Sequence, residues 1–387
     1  MSFSKTVSLP TGTLNVTINE TEGLFNQYIA FAARNNPKRG FLFVSKVLAK
    51  HYPCKPFAIL QSYNALADLL LAAEQRCEQF AFIGMAETAT ALGLGVYESW
   101  LKKTDKHGIY SQTTRYFLEN QTFLGFEEAH THARSFYLYL PEQAEIQTIF
   151  NTADTLVLID DEISTGNTFA NLINAYKKIN PALKRVFVLS LLNLSDAAAR
   201  QRVNALTGMQ VEWLSVLTGS YSFTPNTEFE FSSVNLDSPQ VCKKNLLPSN
   251  YGRLGIQGLL PKLTGAWDEL TQHWQLDDKV LVLGTGEFIY HAFLLGLELE
   301  KQGFNVYVQS TTRSPILTAA AIGDCVSFTD NYGDGINNYL YNSKMHDYQH
   351  ILVCHETPKN AEINFILSLL NAISIQVNHG TFCISRP

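Results

Sequence analysis

From residue 80 onward, hydrophobic and polar positions fall into a repeating unit: a short apolar run, a small-residue turn, then apolar residues at helical spacing. Phe80-Ala-Phe-Ile-Gly84 reads as a strand and the chain from Glu87 as a helix. Further strands are expected near Tyr137, Val157, Val186 and Val211, with helices over 166–179 and 195–206 between them. Ahead of this series the pattern predicts helices over 24–34 and 63–76, the first stopped by Asn35-Asn-Pro-Lys-Arg-Gly40. From about 225 to 258 the alternation gives way to a polar stretch with scattered Pro, Asn, Ser and Gly. A second series follows, with strands at 279–284, 305–309 and 351–354 and helices at 287–302 and 361–372. We therefore expect two α/β units, residues 1–240 and 241–387, and a doubly wound parallel sheet in the first. Such sheets hold ligands beyond the carboxyl ends of their strands, where residues 84–90 and 160–168 both fall.

Composition narrows the field. The 387 residues suffice for two sizeable cores, and 46% apolar with 17% charged residues is ordinary for a globular protein. A net charge of −6 argues against an electrostatic grip on nucleic acid. The N-terminus lacks a basic segment followed by an apolar core, and no apolar run approaches the length of a membrane span. Cys54, Cys77, Cys242, Cys325, Cys354 and Cys383 are dispersed, without a CxxC pair, and read as free thiols of a cytoplasmic protein.

The most informative stretch is Leu156-Val-Leu-Ile-Asp160-Asp161-Glu162-Ile163-Ser164-Thr165-Gly166-Asn167-Thr168. A strand ends in adjacent acids, a small-residue turn follows, and a helix begins. The first N–H groups of a helix have no intrahelical partner and carry the positive end of its dipole, so residues 165–168 form an anion cradle. The hydroxyls of Ser164, Thr165 and Thr168 add donors. Asp160 and Asp161 can accept from the vicinal hydroxyls of a sugar, and a phosphate site beside a diol site describes a ribose 5-phosphate. A second cradle, Gly84-Met85-Ala86-Glu87-Thr88-Ala89-Thr90, follows the strand that ends at Ile83; alone, it would read as a helix cap.

The spacing of the acids and the Thr-Gly turn resembles the signature of type I phosphoribosyltransferases. That resemblance implies a substrate, phosphoribosyl pyrophosphate (PRPP), and Mg²⁺ bound with its pyrophosphate. It gives Met85, Ala86, Glu87 and Thr88 the place of the pyrophosphate loop, and Ser164, Thr165, Gly166, Asn167 and Thr168 that of the ribose-phosphate loop. Asp160 and Asp161 would meet the metal only indirectly, through PRPP. Between the loops, residues 100–135 resist reading as regular structure and stand where the family carries a mobile catalytic loop. Arg115 is a bidentate phosphate partner by its chemistry. His130 and His132 read as acid–base groups of a lid ahead of metal contacts, since strand geometry puts alternating rings on one face for any reason, and a solvated loop is the competing reading. Ser164 stands where purine-salvage enzymes often have an Asp, which brings the block closer to the orotate type.

The second half resembles the TRSP domain, named for a motif found here as Thr312-Arg313-Ser314-Pro315. Val280-Leu-Val-Leu-Gly284-Thr-Gly286-Glu287 belongs to the same likeness; it lacks the third glycine of a dinucleotide fingerprint, position 289 being Ile. Arg313 reads either as a ligand contact or as packing between the units, and Tyr251-Gly252-Arg253 lies where it can reach both. The resemblance implies an orotate-transferase-like domain with a Rossmann-like α/β C-terminal domain, as in bacterial proteins encoded with tellurite-resistance and stress genes. The function expected is transfer of a 5-phosphoribosyl group between PRPP and an unidentified base or amine in a nucleoside-like pathway. The alternative is a non-catalytic PRPP-binding regulator. A homodimer is the candidate assembly.

Overall fold

The protein was analysed as a computed structural model that describes residues 2–37, 39–74, 77–126, 136–231, 243, 251–261, 264–265, 267–378 and 380–385. The N-terminal hairpin β1 (Phe3–Leu9) and β2 (Gly12–Ile18) leads through α1 (Glu22–Tyr28) into a second hairpin, β3 (Ile29–Ala33) and β4 (Phe41–Ser45). Next come α2 (Pro56–Ala73), β5 (Gln79–Gly84), α3 (Thr90–Leu101) and β6 (His107–Gln112), then the hairpin β7 (Phe123–Phe126) and β8 (Phe136–Tyr139). The series continues with α4 (Ala144–Thr152), β9 (Thr155–Ile163), α5 (Asn167–Lys177), β10 (Arg185–Asn193), α6 (Ala197–Thr207), β11 (Val211–Pro225) and β12 (Ile256–Gln257). One sheet takes the order β1-β2-β11-β10-β9-β5-β6-β12. Its five strands from β11 to β6 are mutually parallel, and β1, β2 and β12 add antiparallel edges.

The C-terminal region holds α7 (Trp267–Thr271), β13 (Lys279–Gly284), α8 (Tyr290–Lys301), β14 (Asn305–Ser310), and the hairpin β15 (Cys325–Thr329) with β16 (Asn337–Tyr341). It ends with β17 (His350–His355), α9 (Ala361–Leu370), β18 (Ile373–Asn378) and β19 (Thr381–Ser385). Its sheet runs β14-β13-β17-β18-β19, parallel except for β19. Central strands such as Leu156–Ile159 and Val280–Leu283 are buried along their whole length, as expected where helices cover both faces. The two sheets are joined by apolar packing of α8 on α2 and α3, with Tyr63 edge-on to Phe293 at 5.1 Å.

Several expectations need correction. The helix expected over 24–34 stops at Tyr28, and Ile29–Ala33 pairs with β4, because the Asn35–Gly40 turn closes a hairpin and a short apolar run fits strand as well as helix. The expected helix over 63–76 starts earlier, at Pro56, where a missing N–H costs nothing. Residues 107–112, expected to be irregular, form parallel strand β6. The strand near Tyr137 belongs to the β7–β8 hairpin and not to the large sheet. The helices expected from Glu87 and residue 287 begin only at Thr90 and Tyr290, which leaves the preceding residues as turns.

Candidate active site

β9 is longer than its neighbour on one side, and that difference builds the site. Gly84, the last residue of β5, pairs with Ile159, while β9 runs on through Asp160, Asp161 and Glu162 beside β10. The three acids are half-buried. Gly166 then turns the chain into α5 with φ at 75°. A side chain there would be strained, and a Cβ would meet the Trp213 ring at 2.9 Å and Val203 at 3.0 Å. Only glycine lets the N-terminus of α5 sit this close to the acids. The Oδ1 of Asn167, at the first helical position, is buried and has no hydrogen-bond partner.

The loop after β5 folds against this strand end. Met85 N donates to Ile159 O at 2.9 Å, and Ala86 N donates to Thr113 Oγ1 at 2.8 Å. The Ala86–Glu87 peptide is cis. Thr88 Oγ1 donates to Asp161 Oδ1 at 3.0 Å, so the two loops read separately in the sequence are joined by a direct hydrogen bond. On the other side Arg39 Nη2 lies 2.5 Å from Glu162 Oε1 and ties the β3–β4 turn to the same strand end. Burial raises the Glu162 carboxyl against the pull of Arg39.

Glu87 is surrounded by cations. Lys50 Nζ lies 2.6 Å from its Oε1. Burial alone would raise the Glu87 carboxyl, but Lys50, Arg313 and Arg115 hold it down to about 2. The same burial lowers the Lys50 ammonium in spite of Glu87, so the pair as a whole stabilises less than the carboxylate considered alone. Lys50 Nζ also donates to Gly286 O, in the turn after β13, at 2.7 Å.

That turn brings the second sheet to the first. Glu287 is buried; its carboxylate accepts from Thr114 Oγ1 at 2.6 Å, Arg115 N at 2.9 Å and Arg253 Nε at 3.1 Å. Arg253 then grips Glu356 with two bonds of 2.9 Å. Arg313, of the Thr-Arg-Ser-Pro motif, donates to Asp334 Oδ2 at 2.6 Å and stands 3.7 Å from Asp330. Its guanidinium lies over Tyr116, which stacks on Tyr332 at 4.4 Å. The rest of the motif is held from two sides: Thr312 pairs with Tyr339 and Ser314 O accepts from Tyr341 Oη, both in β16, while Asn35 N donates to Pro315 O and Arg34 bridges Ile316, the next residue.

Of the residues singled out in the sequence, Asp160, Asp161, Ser164–Thr168, Met85–Thr88, Arg115 and Arg313 gather around these two strand ends. His130 and His132 lie outside the described residues. Lys50, Arg39 and Glu356 were not anticipated, since isolated charges in ordinary surroundings give no spacing to read. Arg253 had one signal, its place at the junction. Asp330 and Asp334, loop acids without an evident role in the sequence, are the partners of Arg313.

Comparison with known proteins identifies the family. The family described as phosphoribosyl transferase matches residues 28–220, and the TRSP domain, C-terminal to that transferase domain, matches residues 252–373. No curated relative matches the chain. Among solved structures, adenine phosphoribosyltransferase from Rhodothermus marinus is 16% identical, covering 50% of this chain and 97% of its own, with a TM-score of 0.33. The enzyme from Trypanosoma brucei, solved with AMP, pyrophosphate and ribose 5-phosphate, is 13% identical over 55% of this chain and 86% of its own, TM-score 0.36. Orotate phosphoribosyltransferase from Francisella tularensis is 15% identical over 42% and 66%, TM-score 0.27. The assignment rests on the two family matches, because such low scores carry no argument.

Proposed function

The chain belongs to the phosphoribosyltransferases in which a TRSP domain follows the transferase domain, and on that premise we propose that it moves a 5-phosphoribosyl group between PRPP and a base or amine. The observation that carries this reading is the Thr88–Asp161 hydrogen bond. It joins the loop read as an anion site to a carboxylate read as a diol acceptor, which supports one substrate spanning both. In this reading Asp160 and Asp161 take the ribose hydroxyls and Ser164–Thr168 the 5-phosphate. Met85–Thr88 take the pyrophosphate, with Lys50, Arg115 and Arg313 supplying positive field around the loop. As pyrophosphate leaves, positive charge builds on the sugar ring, so the protein's work is to hold both ends, exclude water and orient the nucleophile.

Mg²⁺ fits this arrangement as a companion of the substrate. Among the described residues no group of three or more His, Cys, Asp or Glu forms a metal cage. Mg²⁺ commonly keeps its waters and takes one or two carboxylates plus substrate phosphates, and the open strand end at Asp160 and Asp161 suits an ion arriving on pyrophosphate. When bound, it would neutralise the leaving group. The product is assigned to nucleoside-like biosynthesis on the strength of the family resemblance, with a base closer to the orotate type than to a purine on the strength of Ser164.

Titrating Mg²⁺–PRPP into the wild-type chain and into Asp160→Asn/Asp161→Asn tests the reading. The double variant should fold and lose PRPP binding; unchanged affinity overturns the assignment. Incubation with labelled PRPP and a metabolite extract should yield a new ribosylated product, whereas binding without turnover favours a regulator.

A further inference from the structure

The turn Thr285-Gly286-Glu287 belongs to the second sheet and bonds there to Thr311 and Tyr332, yet other polar contacts run into the first. Four of them converge on the pyrophosphate side. Glu287 O accepts from Thr90 Oγ1, at the first position of α3, at 3.1 Å. Gly286 O accepts from Lys50, whose other contact is Glu87 of the loop itself. The Glu287 carboxylate takes Thr114 Oγ1 and Arg115 N, which follow the end of β6 after the single residue Thr113. Those positions carry the Arg115 guanidinium, which lies 4.4 Å from the centre of the Phe136 ring.

We infer that Glu287 is a positioning residue for the pyrophosphate end of the transfer site, so that the second α/β unit completes a site housed in the first. Its carboxylate faces no ligand, because its oxygens are spent on Thr114, Arg115 and Arg253, the last shared with Glu356. What it does is fix the backbone at Arg115. A free carboxylate so close to a pyrophosphate loop would repel the ligand; one held by three donors fixes the segment that attracts it. Gly286 enforces the approach, since its φ is 56° and a Cβ would meet Tyr116 Oη at 2.7 Å. The inference rests on the proposed reading of Met85–Thr88 as the pyrophosphate loop.

The test separates the two ends of the substrate. Inorganic pyrophosphate, ribose 5-phosphate and PRPP are each titrated, with Mg²⁺, into the full chain and into Glu287→Gln. Losing hydrogen bonds to a charged acceptor should weaken pyrophosphate and PRPP roughly tenfold. Ribose 5-phosphate, held by the loop after β9, should bind as before. Equal weakening of all three ligands, or of none, overturns the inference. A wild-type chain that binds ribose 5-phosphate and not pyrophosphate overturns the reading of the loop, and the inference with it. If Glu287→Gln does not fold, Thr114→Val, nearly isosteric, removes one of the three donors and should give the same split at smaller size; absence of the split is again fatal.

Discussion

At the carboxyl end of β9, three half-buried acids stand beside a glycine turn, and a threonine from the neighbouring loop reaches one of them. At the carboxyl ends of β13 and β17, Glu287 and Glu356 are buried and share one arginine. Both sheets are parallel, and both place polar loops at the end where such sheets hold ligands. The first end keeps Asp160 and Asp161 in reach of a solute, while Arg39 holds Glu162. The second is closed by Arg253, by the Arg313–Asp334 pair and by the Tyr116–Tyr332 stack. One topology has thus produced a binding site in one half and a clamp in the other. The difference lies in whether cations from elsewhere in the chain fill the crevice.

The clamp offers the largest effect. Arg253→Leu would leave the Glu287 and Glu356 carboxylates buried without their cation. Removing one partner of a buried pair costs roughly 3–5 kcal/mol. Urea unfolding should show a loss of that order, and a change under about 1 kcal/mol would mean the crevice is far wetter than its burial implies.

How much of this contrast was legible beforehand follows from where each half gets its residues. The β9 end is local: strand, acids, turn and helix start lie within thirteen consecutive residues, and hydrophobic period and turn chemistry report on such spans. The clamp is assembled from afar. Lys50 meets Gly286 across 236 positions, and Thr114 meets Glu287 across 173. No periodicity links charges at such distances, so Glu287 was visible as the expected start of a helix while its partners were not. β6 escaped for another reason. His107-Gly-Ile-Tyr-Ser-Gln112 has no run of branched apolar residues, and its neighbours in the sheet, not its own propensity, make it a strand. The Asn167–Lys177 helix, with a glycine before it, was readable from sequence because both features are local.

An intermediate effect is expected at the seam between the two halves, and its sign is set by Glu87. Its carboxyl titrates near 2 in the folded protein, against 4.5 ordinarily, because Lys50, Arg313 and Arg115 outweigh burial. A depressed carboxyl contributes stability above about pH 4.5 and loses it as pH falls toward 2. Burial lowers the Lys50 ammonium as well, so the figure for the carboxylate is an upper bound for the pair. Wild type should therefore lose no more than roughly 3 kcal/mol relative to Glu87→Gln between pH 5 and pH 2. Parallel urea midpoints for the two chains across that range would show that the cations do not hold the carboxylate.

The smallest stability effect belongs to the open site. Thr88→Val removes the donor that joins the pyrophosphate loop to Asp161. Asp161 is half-buried, so water can replace the lost hydroxyl, and the stability change should stay within about 1 kcal/mol. PRPP affinity should nonetheless fall, because the loop is then no longer held against the carboxylate that orients the ribose. Arg253→Leu should instead couple a large loss of stability to weaker PRPP binding, because it unpairs the Glu287 carboxylate that fixes the backbone at Arg115. Measuring melting temperature and PRPP affinity on both variants tests the contrast itself. If Thr88→Val costs as much stability as Arg253→Leu, the β9 end is as closed as the β13 end, and the two crevices are both clamps.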